Sequence, residues 1–134
     1  MREVLFRGKR FDNGEWVQGV FVPDYTQTAF YITKVGEFCH KVGPETVGQF
    51  TGLTDKNGTM IFEGDIFKGK KINGVQLNYV IWFDELERAF VYGVSYKGGF
   101  RLPLSEYTLS IKEFEVIGNI HDNPELLGGG ADNG

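Results

Sequence analysis

Three groups of residues have the types and spacing that could do chemistry. Glu63, Asp65 and Asp84 are carboxylates brought near one another if EGDIF and VIWFD share a sheet. Converging acids of this kind hold Mg²⁺ for phosphodiester cleavage. Asp65 already has a turn to cap, however, and Glu113 and Glu115 add acid without fixing any convergence. Cys39-His40 has the composition of a thiol and its base. Neighbours on a strand point to opposite faces, so the expectation is a half-buried cysteine beside a solvent-facing histidine. His121-Asp122, with Glu125 close by, has the form of an oriented general base. Asn123-Pro124-Glu125 reads equally as the capped start of a short helix, and this second reading accounts for every residue in the segment.

Two basic clusters point to a different function. Arg7, Lys9 and Arg10 flank one turn, and Lys68, Lys70 and Lys71 form GKGKK in another segment. With Trp16, Tyr92 or Tyr96 beside them they make a basic aromatic surface on which single-stranded bases stack. The other reading is that lysines on exposed strands block edge-to-edge pairing. The chain has 14 basic and 18 acidic residues, a net charge of −4 that disfavours a polyanionic partner. Nucleic-acid binding is therefore the alternative here, and a carboxylate-based metal hydrolase a further one.

The elements that must position these groups are strands. Nineteen glycines, twelve phenylalanines and only four prolines suit short strands joined by tight turns. Asn13-Gly14, Asn57-Gly58 and Asn73-Gly74 each separate two apolar runs, which predicts three hairpins, the first with a primed turn. Gly64-Asp65 enters another strand, glycine supplying positive φ and aspartate capping the turn. Val75–Phe83 is the strongest strand. One face carries Val75, Leu77, Tyr79, Ile81 and Phe83; the other turns from polar to apolar halfway along. The fold class expected is all-β: small SH3-like barrel lobes of antiparallel hairpins, with a short C-terminal helix after Asn123. Residues 1–127 form one compact domain, with sub-lobes 1–58 and 59–127, and 128–134 form a glycine-rich tail expected to be mobile.

The stretch VGQFTGLTDKNGTMIFEGDIF matches neither a Walker loop nor an EF-hand, so no cofactor and no metal is expected. One cysteine cannot bridge internally, and no run nears the ~20 apolar residues of a membrane span. A cytoplasmic, reducing setting fits.

PETVGQFTGLTDKNGTMIFEGDIF (44–67), VIWFD (80–84), EVIGNIHDNPELL (115–127) and LFRGKRFDNGEWVQG (5–19) occur in that family's pattern when the chain is set beside the YopX family, which it resembles over residues 2–127. The resemblance implies a β-rich fold with SH3-like character and a phage or prophage origin in a bacterial host. It carries over no catalytic residue. The reading that follows is a non-enzymatic accessory protein that binds another protein or itself as a homo-oligomer.

Overall fold

The computed structural model describes residues 5–24, 26, 29–34, 37–106, 108 and 114–127, the Lys70 side chain excepted. The GGGADNG tail and Glu113 lie outside the described residues. The chain is mainly β, in two antiparallel sheets, and divides into two compact units, residues 1–52 and 53–134.

The first unit holds β1 (Phe6–Lys9), β2 (Trp16–Pro23), β3 (Phe30–Thr33), β4 (His40–Val42) and the start of β5 (Gly48–Thr54), in the order β4-β3-β2-β1-β5. Phe6, Phe21 and Phe30 pack ring against ring at centroid distances of 5.3 Å, and Ile32 and Val42 are fully buried. A 3-10 turn, Pro44–Thr46, is held to β1 by the Lys9 N–H, which donates to the Thr46 hydroxyl. β2 changes neighbours midway: Trp16–Gly19 pair with β1, Val20–Pro23 with β3. Gly19 stands at the changeover, where a Cβ would lie 2.2 Å from the Thr33 carbonyl oxygen.

The second unit continues from β5 into β6 (Met60–Phe62), then β7 (Asp65–Ile72), β8 (Val75–Asp84) and β9 (Ala89–Gly93), followed by β10 (Leu102–Pro103) and β11 (Val116–Asn119). Its own sheet runs β10-β9-β8-β7-β11. β8 is buried on both faces. Ile81 joins Ile61, Phe67, Tyr92 and Phe114, while Val80 and Trp82 join Ile66 and Val91 under Ile120, Leu126 and Leu127. A strand covered on both sides shows no clean alternation, which explains the mixed second face read from its sequence.

Neither sheet closes into a barrel, so the SH3-like closure expected from sequence is absent among the described residues; the strands form open sheets, tied at one further point by an isolated Arg10–Val42 bridge. In place of a capped helix, Pro124–Leu127 makes one 3-10 turn. The Asn123 side-chain oxygen takes the Asn119 N–H behind it. Glu106 and Thr108 are helical, which no apolar periodicity announced. The Asn-Gly turns also differ. Only Asn73 and Gly74 both have positive φ (52° and 80°), the signature of a type I′ turn. At residues 12–14 the glycine alone is left-handed, and its N–H returns to the Arg10 carbonyl, so the first turn is not primed.

Candidate functional site

Among the described residues, a cleft is built from each unit's own residues. In the first unit the cleft, about 240 Å³, opens along the flank of β2 that faces away from β1, because β3 pairs only from Val20 onward. Its walls are Trp16 and Gln18 on β2, His40 on β4, and Lys34 and Glu37 from the β3–β4 connection; Ile32 lies at its floor. The Thr33 hydroxyl fixes that connection by hydrogen bonding with the Lys34 and Glu37 carbonyls, both at 3.1 Å.

Register supplies the rest of this site. Arg7 lies opposite Gln18 and Lys9 opposite Trp16, and directly paired residues of antiparallel strands share a face. The Arg7 guanidinium carbon is 4.7 Å from the Trp16 ring centroid and the Lys9 ammonium 5.7 Å, so both cations lean on the indole. Arg10, the third member of this cluster, turns to Asp12 in a two-pronged ion pair at 2.8 and 3.1 Å. The Asp12 carboxyl is held below its ordinary value chiefly by that bond. Lys68 and Lys71 are exposed on β7 in the second unit. Tyr92 is buried in the core and offers no face for stacking, whereas Tyr96 packs at 6.1 Å from Trp82 with Lys97 over it.

In the second unit a cleft of about 310 Å³ is lined by Trp82, Leu86, Glu63, Asp84, Lys97 and Arg101. Asp84 caps the β8–β9 turn: one carboxylate oxygen accepts the Leu86 and Glu87 N–H groups, and the other meets Arg101 in an ion pair. Burial pushes the Asp84 carboxyl up, but these donors and Arg101 outweigh it and its pKa is lowered. The Tyr96 phenol is pushed up by burial and by the nearby Glu63 charge.

The three carboxylates do not converge on one point. Glu63 and Asp84 share the cleft, but Asp65 is buried and accepts the Phe62 N–H at 2.8 Å. Among the described residues no three of His, Cys, Asp and Glu gather around one point. Cys39 and His40 reverse the expectation: the cysteine is exposed and the histidine half-buried in the first cleft, because Cys39 precedes β4 and is not on it. Around His121 the loop reading holds locally, since the Asn119 side chain accepts both the His121 and Asp122 N–H groups at 2.9 Å. Sequence reasoning missed Gln18, Lys34, Glu37 and Arg101. Their roles come from strand neighbours distant in sequence, and no local spacing marks them.

Several buried polar groups lie within the stretches 44–67, 80–84 and 115–127. Asp55, Asp65, Asp84 and Asn119 all lie within them, all are buried, and each accepts main-chain N–H groups. The family described as YopX protein matches residues 6–128. The chain belongs to the YopX family. Among solved structures similar to it is the crystal structure of protein EF1440 from Enterococcus faecalis. That likeness has 26% identity and a TM-score of 0.60, covering 95% of this chain and 99% of the other. No curated protein matches the chain. The YopX signatures thus coincide with the turns and buried acceptors that shape β5–β8 and β11.

Proposed function

We propose that this YopX-family chain is a non-enzymatic accessory protein of phage or prophage origin, acting in the bacterial cytoplasm by binding another protein or a second copy of itself. One observation carries the reading. Leu86, 88% exposed, stands on the rim of the second unit's cleft, above a floor that includes Trp82 and Phe83. A large exposed apolar side chain beside a concave site with aromatic walls is the arrangement that anchors partner side chains. Phe100, 74% exposed, follows in the same unit just before β10. Family membership supports the phage origin. No helix among the described residues is long and apolar enough to cross a membrane.

Sedimentation velocity, together with nuclease-treated pull-down from a phage-bearing host, tests this reading. The expected result is an oligomer or a retained protein, lost in Leu86→Asp. A monomer that retains no protein, or a partner held equally by Leu86→Asp, overturns it.

A further inference from the structure

We propose that the first unit binds single-stranded nucleic acid along the flank of β2, with a base in the cleft beside Trp16 and the phosphates on Arg7 and Lys9. This site is separate from the Leu86 cleft and does not rest on the protein-binding reading. Three observations support it. The first is the stack itself. An indole with a guanidinium at 4.7 Å and an ammonium at 5.7 Å joins an aromatic face to two phosphate-binding cations in one place.

The second is the lining of the adjoining cleft. Gln18 offers an amide with donor and acceptor, Glu37 an acceptor, and Lys34 and His40 further donors, over the apolar floor of Ile32. Such groups read base edges, and a cleft of about 240 Å³ admits them only from an unstacked strand.

The third is charge. Residues 1–52 hold six basic and six acidic side chains, so the whole surplus of acid belongs to residues 53–134, with eight and twelve. The net charge of −4 therefore says little about the first unit. Lys34 and Glu37 are the charged residues lining the cleft, and Arg7 and Lys9 add two cations on the Trp16 ring that forms one of its walls. The complementarity there is to a polyanion carrying flat rings.

The test is fluorescence anisotropy of a labelled single-stranded oligonucleotide of about 15 residues, titrated with the full chain at several salt concentrations. Binding is expected to be saturable and to weaken with salt. Arg7→Gln with Lys9→Gln should lower affinity about tenfold or more and reduce the salt slope by about 1.4, for two phosphate contacts on a single strand. Trp16→Ala should lower it roughly 5- to 150-fold through lost stacking. Lys68→Gln with Lys71→Gln, in the other unit, should leave it unchanged. Gln18→Ala, at an exposed position, and amide shifts of the wild-type chain on adding the oligonucleotide locate the site without disturbing the core. No binding at low salt overturns the proposal. So does undiminished binding by the Arg7/Lys9 variant, equal affinity for a duplex or a mononucleotide, displacement by polyglutamate as effective per charge, or shifts confined to residues 53–127.

Discussion

At the scale of single residues, Asp55 shows how much one turn carboxylate holds. One oxygen accepts the Asn57 and Thr59 N–H groups at 2.8 and 2.9 Å, and the other accepts Val116 N–H at 2.9 Å, 61 positions away. Burial alone pushes the Asp55 carboxyl up, but the Val116, Thr59 and Asn57 bonds prevail and its pKa is lowered. The unfolded chain then binds the proton more readily, so this contribution to stability is present above the ordinary carboxylate range and is lost as pH falls through the depressed folded value. Asp55→Asn replaces the acceptor facing Val116 with a donor. It should cost about 1–3 kcal/mol at neutral pH, with a smaller difference from wild type near pH ~3. Urea midpoints at the two pH values check both statements. An aspartate before Lys-Asn-Gly is legible as a turn residue. Its reach to Val116 is not, because the same residue type serves a purely local turn.

At the scale of elements, β7 shows why hairpins are easier to read than their geometry. Lys68 pairs with Asn78 but Lys71 with Gln76, so one extra residue bulges at 69–70. A Cβ on Gly69 would lie 1.9 Å from the Leu77 carbonyl oxygen, and Gly69→Ala should cost about 1–3 kcal/mol. Thermal unfolding of this variant measures the close approach directly. The Asn-Gly turns give a comparison. Asn73 has a φ of 52° and Asn57 is not left-handed, so Asn73→Ala should lose about 1 kcal/mol of backbone preference that Asn57→Ala does not. Spacing between apolar runs located all three hairpins, but turn type depends on φ values that an Asn-Gly pair does not determine. The core follows the same rule. Phe114 stacks on Phe67 at 4.5 Å and meets Tyr92 edge-on at 5.2 Å, and Phe114→Ala should destabilise by about 3–5 kcal/mol in urea titration.

At the scale of the whole molecule, the strand content was legible from turn spacing and aromatic composition, whereas the clefts were not. Each arises where strands exchange neighbours or where a turn residue meets an arginine 17 positions later, and neither leaves a periodic trace. The two units also differ in how far along the chain their bonds run. The pairings of β1 with β2 and β5, of β2 with β3 and of β3 with β4 all lie within residues 5–52. The second unit needs Phe114 and Val116 for its core and for Asp55, and it needs the Leu126 carbonyl, which accepts the buried Asn78 amide at 2.9 Å. A chain cut after residue 113 should keep amide-exchange protection in β1–β4 and lose it in β7–β9. On the ribosome the same bonds set an order of events. β1–β4 have their strand partners as soon as residue 52 clears the exit tunnel, while the cover on both faces of β8 stays incomplete until residues 114–127 emerge. During that interval the nascent second unit is a client for chaperones, while β1–β4 are already paired.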